Sequence, residues 1–293
     1  MIAETIVLPG VRERAVRFGP ADAPLAGVLS LPEGVPARER GLVALHGWGT
    51  YRDGPHEMLC KLARDLAARG TPVLRFDFRG RGESPGAYGE TDLDAMIDDA
   101  ILAASFLKQA TGVRDAAAVG LCSGANVALA AAAWGGAFDR VASLSVLPFQ
   151  SHKSAMQSLR RTRGMLRGLA AKAFRLSTWR RLFTGEVRIL RVLRGLVGGE
   201  GGKARTPAGQ TRNLKDSSRD LMGALARFRG KVLFVWGGAD AEGAGARAHF
   251  EEFARASGLE AEFRTVEGSN HNFYSLEWER QVFDLVRGFV ERA

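Results

Sequence analysis

The chain has 293 residues, 46% of them hydrophobic, which is enough for one large core. No stretch of roughly 18 residues is continuously apolar, which argues against a membrane-spanning helix. The formal net charge of +9 is unevenly placed: residues 151–205 carry fourteen Lys or Arg against only Glu186 and Glu200, and the rest of the chain is net acidic. Residues 1–6 lack the basic-then-apolar pattern of a secretory leader. The two cysteines, Cys60 and Cys122, are therefore expected to be free thiols in a reducing compartment, in a cytoplasmic protein that its basic segment could bring to the inner membrane face.

The first 35 residues hold extended pieces at 5–8, 15–18 and 25–31, punctuated by Pro and Gly, which predict an antiparallel β start. A regular alternation follows. Residues 41–45 form a buried strand, and 55–69 an amphipathic helix with Pro55 in its first turn. Residues 72–76 are a strand, and 91–110 a helix capped by Thr91 or Asp92. The strand 116–121 leads into a helix over 124–134, and 141–147 is another strand. The alternation then stops. Residues 149–226 are helical in character and basic, broken by the glycines of 198–202 and by Pro207. It resumes with the strand 231–236, a helix near 244–257, the strand 261–266 and a last helix near 276–292. Repeated strand–helix units predict an α/β fold: a doubly wound, mostly parallel sheet with an inserted helical cap. The core is expected in two parts, 1–148 and 227–293, with the cap at 149–226.

Residues 120–124 read Gly-Leu-Cys-Ser-Gly, between a strand and a helix. A turn that tight needs small residues, which Gly120 and Gly124 supply. Alone, the pattern suits a buried, inert thiol equally well. Four further segments surround it in chain order. His46-Gly47-Trp48-Gly49 follows the strand 41–45, and Asp77-Phe78-Arg79-Gly80-Arg81-Gly82-Glu83-Ser84 follows the strand 72–76. Trp236-Gly237-Gly238-Ala239-Asp240 ends a strongly apolar strand, and Ser269-Asn270-His271-Asn272-Phe273 follows the last one. Of the histidines at 46, 56, 152, 249 and 271, only His271 sits in a loop after the final strand.

These segments, in this order, resemble the α/β-hydrolase superfamily, particularly its serine-aminopeptidase or monoacylglycerol-lipase-like branch. The resemblance spans the core and says nothing of the cap. Residues 47–55 and the cysteine turn are also similar to bacterial hydrolases associated with exosortase and exopolysaccharide systems. The resemblance implies a nucleophile at Cys122, where serine is usual. It implies an acid and then a histidine further along the chain, Asp240 (with Glu242 as the alternative) and His271. It also implies an oxyanion hole from the backbone N–H groups of Trp48 and Ser123. Ser123 lies one residue past the bend, and its side chain is expected to point away from the site of Cys122. His46 is read as holding its loop, and Asp77, Arg79, Gly80 and Gly82 as shaping theirs. No metal or cofactor is implied.

Cysteine changes the chemistry. A thiol beside an imidazole, a helix N-terminus and oriented N–H groups ionises readily. The acyl-enzyme would be a thioester, which forms more easily from a thioester or activated ester than from an alkyl ester. Dienelactone hydrolases and polyhydroxyalkanoate synthases resemble this chain in placing Cys at this turn. Three readings stay open: an ester or thioester hydrolase acting on a small acyl substrate, an acyltransferase using the same residues, and a non-catalytic scaffold. The basic cap interleaves Arg160, Arg161, Arg163 and Arg167 with Leu159, Met165, Leu166 and Leu169. That pattern suits a solvated face. It equally suits an amphipathic lid at an anionic membrane or a site for an acidic acyl carrier. Nothing in it is a nucleic-acid recognition motif.

Overall fold

The computed structural model describes residues 5–149 and 217–292. Among the described residues, nine strands form one sheet: β1 (Thr5–Leu8), β2 (Val11–Phe18), β3 (Leu25–Pro32), β4 (Arg40–Leu45), β5 (Val73–Phe76), β6 (Asp115–Leu121), β7 (Arg140–Leu144), β8 (Lys231–Gly237) and β9 (Ala261–Val266). Their spatial order is β1-β2-β3-β5-β4-β6-β7-β8-β9. The first three strands and the β3–β5 pair are antiparallel; every pair from β5 to β9 is parallel. Among the described residues, six α-helices accompany them: α1 (Met58–Ala67), α2 (Leu93–Thr111), α3 (Ser123–Gly135), α4 (Leu221–Arg227), α5 (Gly243–Ser257) and α6 (Leu276–Glu291).

Side chains of a strand alternate between the faces of its sheet, and in the central strands β4 to β8 both faces are buried. Val43, Leu45, Ala116 and Ala118 point into the layer that holds α2 to α5. Leu42, Ala44, Ala117, Val119 and Leu121 point into the opposite layer, with α1 and α6. That explains the continuous apolar runs of the central strands. The alanines of β6 keep both layers thin, so α3 lies close to the sheet.

The chain runs from β4 outward to β5, then crosses back to β6 on the other side. The order therefore reverses between β4 and β6, and a crevice opens at the carboxyl ends of the strands. His46, Cys122, Ser145, Asp240 and His271 all follow the carboxyl ends of parallel strands.

Strand and helix ends shift by a few residues from the sequence reading, as where β2 starts at Val11 and β7 ends at Leu144, and two further differences change local structure. The helix expected from Pro55 is interrupted: His56 (φ 44°) and Glu57 (φ 62°) are left-handed, and the α-helix starts at Met58. The end expected of the cap also shifts. Residues 217–227 pack on the core, because Leu221 and Leu225 join its apolar cluster. Ser217 and Ser218 bond the Asp94 carboxylate, and Arg219 pairs with Asp98 at 2.7 Å. The remainder of the expected cap, residues 150–216, lies outside the described residues, as does the basic surface read as a lid or partner site. Among the described residues, no helix is long and apolar enough to cross a membrane.

The loop after β5 braces the crevice from one side. Asp77 is fully buried and accepts the N–H groups of Arg52 (2.8 Å) and Glu83 (3.1 Å), together with the Arg52 guanidinium. Removing its charge leaves the partly buried Arg52 guanidinium with the exposed Glu83 as its remaining bonded carboxylate, at 2.8 Å. Asp77→Asn is expected to cost about 2–4 kcal/mol of stability, measured as a lower urea midpoint at unchanged m.

Candidate active site

Cys122 joins β6 to α3 with φ 57° and ψ −120°, a conformation that a residue with a side chain adopts only under compulsion. The compulsion comes from its neighbours. A Cβ on Gly120 would collide with the Gly124 carbonyl, and one on Gly124 would meet the His46 carbonyl oxygen at 2.5 Å. Gly124 is required because α3 starts in contact with the end of β4, and Gly120 because the first turn of α3 folds back onto the end of β6. The Cys122 N–H is tied to the Leu144 carbonyl at 2.8 Å, which fixes the bend to β7. The result is a partly exposed thiol at the head of a 13-residue helix, whose free N–H groups carry partial positive charge.

His271 comes from the loop after β9 and Asp240 from the loop after β8. The imidazole Nδ1 stands 2.7 Å from Asp240 Oδ2. The other ring nitrogen is thereby left for the sulfur, and His271 hydrogen-bonds the Cys122 side chain. The bonds to Asp240 and Cys122 outweigh partial burial and raise the His271 pKa to about 10, so the imidazole is charged at neutral pH. Burial pushes the Asp240 carboxyl up, but the bond and charge of His271, with the N–H groups of Glu242 and Gly243, hold it below its ordinary range. Glu242, the alternative acid, offers its backbone N–H to Asp240 at 3.1 Å.

Several residues that pattern reading did not single out fix this geometry. Ser145, fully buried with φ 49°, donates its hydroxyl to the His271 carbonyl at 2.7 Å. Asn270 Oδ1 accepts the N–H groups of Asn272 (3.2 Å) and Tyr274 (3.1 Å), curling the loop around His271. The left-handed turn at His56 brings its Nε2 to the Asn272 carbonyl at 2.9 Å, while Nδ1 faces buried Glu279 at 3.0 Å. A serine after a strand carries no special signal, and His56 was hidden inside an otherwise regular helical pattern.

His46 is fully buried. Burial lowers its pKa to about 4, so it is neutral. Its Nδ1 donates to the Gly47 carbonyl at 2.8 Å and its Nε2 accepts the Phe78 N–H at 3.4 Å. It links the loop after β4 to the loop after β5 and lacks a free face for proton transfer. On that loop, the Trp48 N–H donates to Ser123 Oγ at 2.6 Å. The Ser123 side chain thus turns toward the Trp48 loop, where the sequence had it merely turned away from Cys122. Arg81 lies over the Trp48 and Tyr88 rings, at 4.6 and 4.8 Å, and bonds the Trp48 carbonyl. Among the described residues, no group of three His, Cys, Asp or Glu side chains is placed to hold a metal ion.

An acid–histidine pair beside a strained cysteine, at the carboxyl edge of a sheet of this order, defines a class. The chain matches the alpha/beta hydrolase family over residues 42–285, and it belongs to that family. Among solved structures it is similar to a dienelactone hydrolase from Anabaena variabilis, with 15% identity and a TM-score of 0.60, over 96% of this chain and 97% of that one. It is similar to the ferulic acid complex of Est1E from Butyrivibrio proteoclasticus, with 16% identity and a TM-score of 0.62, over 95% and 100%. An esterase from Pyrococcus furiosus matches with 16% identity and a TM-score of 0.61, over 94% and 90%. At these identities the likeness is one of fold. No curated protein matches the sequence.

The causes of the His271 shift can be measured. Asp240→Asn is expected to lower the imidazole pKa from about 10 toward 6.5, and alkylation of Cys122 to lower it as well, as followed by NMR of the ring protons. A raised histidine pKa stabilises the fold fully below pH 6.5, and the contribution is lost as pH rises through about 10. The stability gap between wild type and Asp240→Asn should therefore narrow across that window.

Proposed function

We propose that the protein hydrolyses activated carboxylic esters or thioesters through Cys122, His271 and Asp240, with a covalent thioester intermediate. One observation carries the reading: His271 Nδ1 stands 2.7 Å from Asp240 Oδ2 while the same ring hydrogen-bonds the Cys122 side chain, and both bonds favour the protonated imidazole. An imidazolium held against sulfur stabilises the thiolate, the nucleophilic form.

Cys122 Sγ adds to the substrate carbonyl carbon, and the C=O electron pair moves onto oxygen. The N-terminal turn of α3, with the Ser123 N–H, and the Trp48 side of the crevice face that oxyanion. When the tetrahedral centre collapses, the bond to the leaving group breaks and His271 gives it the proton. The neutral imidazole then takes a proton from water, whose oxygen attacks the thioester. Collapse expels the Cys122 thiolate, His271 keeps the proton, and the carboxylic acid departs. Asp240 stays ionised throughout and holds the imidazole by Nδ1. The sulfur leaves easily, which favours substrates whose own leaving group is a thiolate or a weakly basic alkoxide.

Cys122→Ala is expected to abolish hydrolysis of p-nitrophenyl acetate and of a short acyl thioester. His271→Ala should lower kcat by about 10³-fold or more, and Asp240→Asn by about 10²–10⁴-fold. These are read as initial rates against substrate concentration at pH 7. Wild-type rates in Cys122→Ala would contradict the mechanism.

A further inference from the structure

Ser123 Oγ accepts the Trp48 N–H at 2.6 Å. That is its one hydrogen bond, so the hydroxyl proton has no acceptor among the described residues. A carbonyl oxygen held at Cys122 could take the Trp48 N–H only by displacing this hydroxyl. Ser123 is partly exposed, as is Cys122 immediately before it.

We propose that the Ser123 hydroxyl is itself an oxyanion donor, standing between the Trp48 N–H and the reacting carbonyl. The inference rests on Cys122 as nucleophile and adds a residue to that mechanism. A serine hydroxyl has one donor and two acceptor lone pairs. Accepting from Trp48 leaves its proton free to donate. As charge develops on the carbonyl oxygen, the hydroxyl donates to it alongside the Ser123 N–H. The Trp48 N–H pulls density from Oγ and strengthens that donation. The proton stays on Oγ throughout. The oxyanion's electron pair returns to the C=O bond as the leaving group departs, so the hydroxyl is unchanged after each turnover.

The test compares two reactions of the same sulfur. Acylation by p-nitrophenyl acetate passes through an oxyanion; alkylation by iodoacetamide does not. Both are followed in single-turnover experiments on wild type, Ser123→Ala and Ser123→Thr. Ser123→Ala is expected to slow acylation by about 10–100-fold, a little less than the loss of an ordinary oxyanion donor because the Trp48 N–H is freed. Its alkylation rate and apparent affinity for the ester should stay within about 3-fold of wild type, and Ser123→Thr should recover most of the acylation rate. Ser123→Ala acylating at the wild-type rate or faster would overturn the proposal, since the hydroxyl would then only occupy the hole. A parallel fall of acylation and alkylation would overturn it too, because Ser123 would then act by positioning Cys122. Absence of Cys122-dependent acylation in the wild type would instead remove the parent mechanism, and this inference with it.

Discussion

The whole site depends on one close approach, that of the N-terminus of α3 to the end of β4. Gly124 permits it because it has no Cβ to meet the Leu45 and His46 carbonyls, and Gly120 lets the first turn of α3 fold back against the end of β6. The approach forces Cys122 into a left-handed conformation that costs on the order of 1–3 kcal/mol. The return is geometric: the thiol stands clear of the backbone, the helix N–H groups lie beneath it, and the loop after β4 comes within hydrogen-bond reach of Ser123. Ala116, Ala117 and Ala118 serve the same end, since larger side chains would hold the helix layers further from the sheet.

Hydrogen bonding then specialises the turn. His271 bonds both the Asp240 carboxylate and the Cys122 side chain, and these bonds raise its pKa, linking three loops through one ring. The two histidine environments separate cleanly by cause. Burial lowers the pKa of His46, which braces backbone, whereas two side-chain bonds raise that of the partly exposed His271. The supports of His271, namely Ser145, Asn270 and His56, all act on backbone carbonyls or N–H groups of its loop. They hold the ring without competing for it.

Much of this was legible in the chain. The alternation of buried strands and amphipathic helices fixes the fold class, because periods of two and of 3.6 residues are written directly in the spacing of apolar residues. The resemblance of their segments to α/β-hydrolases marked Cys122, Asp240 and His271, each in a loop after an apolar run, and the structure brings the three side chains within bonding reach. What escaped was anything decided by long-range hydrogen bonding. The left-handed turn at His56 is favoured by partners more than 200 residues away, Asn272 and Glu279. Ser217, Ser218 and Arg219 read as the end of a basic insertion, yet acidic groups on α2 draw them onto the core. The Ser123 hydroxyl depends on where the Trp48 N–H lands, which no local pattern encodes.

The central claim is that Cys122 carries the acyl group. Acid-quenching the wild-type protein during turnover of p-nitrophenyl acetate, followed by peptide mass mapping, locates that group directly. One acetyl on the peptide containing Cys122, released by neutral hydroxylamine as a thioester should be, and accumulating when His271 is replaced by alanine only as far as the slowed first step allows, is the predicted result. Acetyl on the Ser123 hydroxyl, on Cys60, or on no residue while the ester is still hydrolysed would contradict it.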